Sequence, residues 1–200
     1  MLAAADVLYR NGYDATTMKD IAGQVNLTAA SLYHHFRNRD MLMLAVLEGG
    51  IAYVINLMMP ILESDQSPAD KLREMVRVHV TSVADNTSVG AAMVFEIRSL
   101  LTLKDTPRNL STFDNDAHTE FLTRRDHFFA QRDEFEGLFE QVVQAGIDAG
   151  DFVDLDTAIF VKAMLGAQNW VPVWFKSGGR LTGEDVAERI AETFLRALRK

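Results

Sequence analysis

Almost every break in this chain is marked by residues that start or stop helices. Thr17-Met18-Lys19-Asp20 and Thr182-Gly183-Glu184-Asp185 have the spacing of a capping box, and Ser67-Pro68-Ala69-Asp70 sets a proline at a first helical position. Apolar residues between these signals recur at helical spacing, and no segment shows convincing period-two alternation. Four prolines and 12 glycines are too few for a turn-rich β fold. The chain therefore reads as all-α, with about nine helices. The first runs from the start to about Asn11, stopped by Gly12. The second opens at Thr17 and reaches about Val25. After an Asn26-Leu27 link, Thr28 caps a third from Ala29 to about Phe36. Asn38 caps a much longer fourth, with Asp40 in its positive first turn. Five more are expected at about 67–85, 88–103, 111–149, from a cap at Asp154 or Asp156 to about Phe175, and from Thr182 to about Arg199. Lys104–Leu110, with Pro107, reads as a break, and Ser177-Gly178-Gly179-Arg180 as a turn.

The sequence lacks cysteine, which removes disulfides, thiol nucleophiles and Cys-based metal sites together. Apolar residues make up 48%, enough for a real core. No uninterrupted apolar run reaches membrane-spanning length, because Met41 to Leu62 contains Glu48 and Asn56 and ends around Pro60. No signal-peptide pattern is present at the start, so the expected location is cytoplasmic, with no membrane partner. The net charge of −8 argues against a polycation that coats nucleic acid. Its distribution is uneven: residues 1–48 carry four basic and five acidic side chains, net −1, leaving −7 for the rest. Residues 1–48 are therefore read as one domain and 49–200 as another, joined through the fourth helix without a flexible linker.

Two short helices on either side of a tight link read as a helix-turn-helix. Ile21, Ala22, Val25, Leu32 and Phe36 can form a small core with Val7, Leu8 and Leu42. That arrangement leaves Thr28, Ala29, Ala30, Ser31, Tyr33 and His34 largely outside. A helix entering a DNA major groove needs such a surface: small side chains allow close approach, hydroxyls bond phosphates and base edges, and an alanine can touch a thymine methyl. Tyr33, His34 and His35 can reach phosphates, while Thr17, Lys19 and Arg39 can hold the backbone on either side. His34 and His35 point about 100° apart on a helix and cannot easily share a metal ion.

The run Gly12-Tyr13-Asp14-Ala15-Thr16-Thr17-Met18-Lys19-Asp20-Ile21-Ala22, then Leu32-Tyr33-His34-His35-Phe36, then Arg39-Asp40 before an apolar helix, resembles the TetR family of bacterial transcriptional repressors. The resemblance implies a three-helix DNA-binding domain followed by a helical effector-binding and dimerisation domain. It implies a homodimer on double-stranded operator DNA with inverted-repeat symmetry. Recognition helices would lie one DNA turn, roughly 34–36 Å, or somewhat more apart. It also implies an effector that binds the splayed state better than the DNA-competent one. Ala149-Gly150-Asp151-Phe152, Asn169-Trp170, Trp174-Phe175 and Gly178-Gly179 resemble the branch controlling fatty-acid, acyl-CoA or steroid degradation, hence an apolar or acyl-CoA-like effector. Three positions depart from the family pattern. Basic and apolar turns usually precede the position of Ala4, so the first helix is expected to lack N-terminal turns. Asn26 stands where glycine is usual, and Arg39 where lysine is usual.

In the longer part, Phe121, Phe128 and Phe135 recur every seven residues, with Met93, Phe95 and Ile97 on the preceding helix. Most such residues are ordinary core, yet Met58, Met93, Phe95, Phe121, Phe128, Trp170 and Trp174 are candidates to line an apolar effector pocket. Arg125 is the candidate to meet a carboxylate or phosphate there, although arginines such as Arg98, Arg124 and Arg125 more often pair with local acids. Ile190, Phe194 and Leu198, with Val186 before them, make an apolar stripe that Val161 and Leu165 can face, and these six are the candidate dimer interface. His79, His118 and His127 show no metal-ligand spacing, and neither a nucleophile elbow nor a phosphate loop occurs. No cofactor, metal or enzymatic activity is expected. The alternatives to a ligand-responsive repressor are a helical lipid- or acyl-binding protein without DNA binding, and, more remotely, an all-α enzyme.

Overall fold

Helix boundaries in the computed structural model stand where the capping residues are. The structure describes residues 2–12, 15–95 and 112–200. Ten helical segments and no strand occur among them: α1 (Leu2–Asn11), α2 (Met18–Gln24), α3 (Ala29–His35), α4 (Arg39–Glu63), α5 (Pro68–Asp85), α6 (Thr87–Phe95), α7 (Thr112–Asp148), α8 (Thr157–Asn169), α9 (Val171–Trp174) and α10 (Gly183–Ala197). Thr17 and Thr182 each close a reciprocal capping box with an aspartate three residues on. Ser67 and Asp156 cap α5 and α8 through their side chains. The helix expected from Asp154 or Asp156 to Phe175 is divided. Pro172 has no N–H to offer the Gln168 carbonyl, so α8 stops at Asn169 and a single turn, α9, follows. The expected continuation of α6 to Leu103, the break at Lys104–Leu110, and Ile97 and Arg98 lie outside the described residues.

The chain packs into two compact units. The first comprises residues 1–50 and 88–131, the second 51–87 and 132–200. In the first unit, Ala5, Ile21, Ala22, Leu32, Leu42 and Val46 belong to one core, against which Phe36 of the α3–α4 junction and Val89 of α6 pack. Val25, expected in this core, is exposed instead, and Met18 is buried. The turn after α2 carries Val25 outward once the helix has ended. Ser88 donates to Asp6, tying α6 to α1. Arg124 of α7 donates to Glu48 of α4, with Nε 3.1 Å from Oε1.

By length and composition α4 is a helix that can cross a membrane, with mean hydropathy 1.8. Its continuity is greater than the sequence alone implied, because it passes through Pro60 to Glu63. Its apolar side chains are nevertheless used inside the protein: Met41, Leu42, Met43, Leu44, Val46 and Leu47 are all buried.

In the second unit α5 packs against α10, α8 and α9. Arg73 of α5 donates to Glu188 and, at 3.2 Å, to Glu192 on α10. The buried ring of His79 meets Gln168 Oε1 at 3.1 Å and lies edge-on to Phe135, 5.0 Å between centroids. Gly146 of α7 lies under Phe152, so that a Cβ there would stand 2.2 Å from the ring.

Candidate nucleic-acid interface

The turn between α2 and α3 is built by backbone chemistry that the sequence encodes directly. Asn26 has φ 54°, a left-handed conformation that asparagine tolerates better than most residues. The Leu27 N–H then donates to the Ala22 carbonyl at 2.9 Å, and the Asn26 N–H to the Gly23 carbonyl at 3.4 Å. This pair of bonds is the Schellman closure of a helix C-terminus. Thr28 is extended and accepts from the Ser31 N–H at 3.1 Å, so the cap of α3 stands two residues after the left-handed Asn26.

One face of α3 is committed to packing and the rest is open. Leu32 is its buried residue. Ala29 and Ser31 are half-buried; Thr28, Ala30, Tyr33, His34 and His35 are exposed, Tyr33 at 53%. The cap leaves the Thr28 hydroxyl proton available to donate. The seven-residue helix and its Thr28 cap thus present two hydroxyls, two methyls, a phenol and two imidazoles without charge repulsion toward a polyanion.

The flanking residues divide in role. Lys19 is exposed at the start of α2. Thr17 is exposed, but its hydroxyl donates to Asp20 at 2.6 Å and accepts from the Asp20 N–H at 3.2 Å. Hydrogen bonds from the Thr17 hydroxyl and N–H hold the Asp20 carboxyl below its ordinary range. Arg39 is half-buried and donates to the Thr16 carbonyl at 2.6 Å. Thr16, itself buried, donates to the Gly12 carbonyl at 2.7 Å, and Gly12 takes φ 74°. Arg39 thereby fixes the loop that leads into α2, a positioning task that sequence reasoning missed because its partner is a backbone carbonyl 23 residues away. Arg37 pairs with Glu120 of α7 at 3.5 Å and keeps much of its surface exposed. Tyr13 and Asp14 lie outside the described residues.

The candidate effector residues fall in both units. Phe121, Arg125 and Phe128 are buried on α7 in the first, and Met93 is half-buried on α6. The Phe95 side chain lies outside the described residues. Met58 is fully buried in the second unit, whereas Trp170 and Trp174 are exposed and do not line an interior there. The six candidate dimer residues differ in the surface they keep. Val161, Leu165, Val186 and Leu198 are buried by their own chain and have little surface left to offer a second copy. The inner face of α10 runs through Ala187, Ala191 and Leu195, rotated from the expected stripe, so Ile190 and Phe194 are only half-buried. The exposed apolar residues nearby are Ile159, Trp170 and Trp174. Among the described residues, no three His, Asp or Glu side chains gather as metal ligands.

Residues 1–46 match the model for bacterial regulatory proteins of the tetR family, and residues 101–198 match that for a tetracyclin repressor-like C-terminal domain. The chain belongs to the TetR family. The HTH-type transcriptional repressor KstR2 of Mycolicibacterium smegmatis is 25% identical over 188 residues, 93% of this chain and 82% of that protein. Among solved structures, the TetR family regulator PfmR of Thermus thermophilus is 25% identical with a TM-score of 0.80, covering 100% of this chain and 98% of the other. AibR, solved in complex with isovaleryl coenzyme A and operator DNA, shares the fold at 24% identity and TM-score 0.72, over 96% of this chain and 93% of that one. This TetR-family chain is a DNA-binding transcriptional regulator and not an enzyme. Repressors of the family bind operator DNA and small-molecule effectors, and the family is dimeric.

Proposed function

We propose that the protein is a cytoplasmic repressor that reads an inverted-repeat operator through α3 and leaves it when an apolar or acyl-CoA-like effector binds. The observation that carries the reading is the open face of α3. Thr28, Ala29, Ala30 and Ser31 face base edges; Tyr33, His34 and His35 take phosphates at the groove margin; Lys19 adds a charge on one flank. Thr17 and Arg39 act chiefly by holding α2 and the loop before it in register. We assign residues 1–48 to DNA binding and 49–200 to effector binding and dimerisation. Phe121, Phe128 and Met93 supply apolar effector contacts in the first unit. The acyl-CoA class is supported by AibR, whose complex holds isovaleryl coenzyme A and DNA. A steroid-derived effector is the neighbouring option, since KstR2 of Mycobacterium tuberculosis is described as a ketosteroid transcriptional regulator. The dimer face falls on Ile159, Trp170 and Trp174, with the outer edges of Ile190 and Phe194.

Fluorescence anisotropy with inverted-repeat duplexes from the gene's own neighbourhood tests the DNA half of the proposal. Wild type is expected to bind specifically, with affinity falling steeply as salt rises. Tyr33→Ala is expected to weaken specific binding about tenfold while leaving the melting temperature unchanged, in line with loss of one or two contacts at ~1–3 kcal/mol in total. Binding by wild type no tighter than to random duplex would overturn it.

A further inference from the structure

Arg125 is an arginine whose surroundings use only half of it. Its side chain is 7% exposed, in the middle of α7. Nε and Nη2 both donate to the same oxygen of Asp126, at 3.0 and 2.7 Å. Asp126 stands in solvent, its side chain 69% exposed. This side-on pairing turns Nη1 away from the carboxylate, and Nη1 is buried without a hydrogen-bond partner. One turn to either side on the same helix face are Phe121 and Phe128, both buried. The Gln131 side-chain oxygen, three residues beyond Phe128, is also buried without a partner. Unused buried polar atoms are uncommon, because desolvation is not repaid. A residue serving packing alone would be leucine or methionine here. A donor and an acceptor left open, with two phenylalanines on the same face and about 9 Å of helix between Arg125 and Gln131, offer two polar contacts and an apolar wall to a ligand.

We infer that Arg125 Nη1 is the anchoring donor for the effector, whose class is an apolar acyl compound with an oxygen acceptor at its head, a hydroxyl or amide N–H where present adding a second contact. A carboxylate or a thioester carbonyl supplies the acceptor at Arg125, and the N–H or O–H meets Gln131. The inference rests on the effector reading proposed above and makes it specific: chain length alone is not recognised, and the corresponding alcohol is a poor ligand.

The test uses the full chain and three probes: dodecanoate, dodecanoyl-CoA and dodecanol. Dodecanoate or dodecanoyl-CoA is expected to raise the melting temperature of wild type by several degrees, and dodecanol to do so at no less than tenfold higher concentration. A response to the thioester alone identifies the carbonyl as the acceptor, and a response to the free acid alone identifies the carboxylate. Arg125→Met, of similar length, is expected to melt at or above the wild-type temperature without ligand, because an incompletely paired buried charge is removed. It is also expected to lose the ligand shift. Arg125→Lys serves as the second variant: it keeps the charge without the fork and recovers only part of the shift. A ligand-free Arg125→Met that melts several degrees lower, a shift that survives in it, or no shift of wild type with either acyl probe would each overturn the inference. Operator binding is read separately. Loss of DNA binding in wild type defeats the repressor reading, while intact DNA binding with an unaltered ligand shift in Arg125→Met defeats only the assignment of Arg125.

Discussion

Single residues set both the turn and the acid response of this protein. Asn26 holds φ 54°, where a branched side chain collides with the backbone. Asn26→Gly is expected to leave stability nearly unchanged, whereas Asn26→Val should cost about 2 kcal/mol in denaturant unfolding. Equal stability of the two variants would show that the turn does not constrain the fold. His79 acts through ionisation. Burial, opposed by the weaker effect of the bond to Gln168, lowers its pKa to about 4. The unfolded chain takes up this proton first as pH falls, so the stability tied to the neutral ring is complete above about 6.5 and is lost on the way to about 4. Between pH 7.5 and 5 the loss from this group is about 2 kcal/mol. A His79→Gln variant should lose that much less than wild type over the same interval. Parallel losses in the two proteins would mean that another group takes the proton.

Elements meet here through few but directional contacts. On α7, Glu120 and Arg124 stand one turn apart and reach Arg37 at the end of the helix-turn-helix and Glu48 on α4. These pairs have opposite polarity, so α7 can grip the DNA-binding segment in only one register. Glu48→Arg alone or Arg124→Glu alone is expected to reduce operator affinity about fivefold, by loosening α4 at ~1 kcal/mol, and the doubly exchanged protein should recover most of it. No recovery would show that the pair does not position α3. Most helix starts were legible in the sequence because their determinants are local: a Thr or Ser with an Asp three residues on, a glycine or asparagine in the left-handed region. The open face of α3 was legible for the same reason, since the helix is short and Leu32 is its buried residue. What depends on distant partners was not legible. The Arg39 bond to the Thr16 carbonyl and the pairing of His79 with Gln168 join residues that no local pattern connects. Which side of α10 turns inward was not legible either, because its packing against α5, through Val186, Ala187, Ala191 and Leu195, decides what is covered.

At the scale of the whole molecule the proposed function needs two copies, and burial decides where they can meet. A helix pair that spends Val161, Leu165, Val186 and Leu198 on its own subunit cannot use them again. Ile159 is 64% exposed on α8, and Trp174 is exposed on α9. Large apolar side chains left in solvent are candidates for an association site. Ile159→Asp sets a carboxylate on that surface far from the buried core of the subunit, so it should leave the melting of the isolated subunit almost untouched. In the dimer the same carboxylate would be desolvated without a partner, at about 3 kcal/mol or more for the two copies together, which raises the dimer dissociation constant at least ~100-fold. Sedimentation at micromolar protein should then find wild type at twice 22.4 kDa and the variant at 22.4 kDa. The variant's operator affinity should fall with dimerisation and return as protein concentration rises, because two half-sites are held only by a pair. A variant that sediments with wild type would place the dimer contact elsewhere.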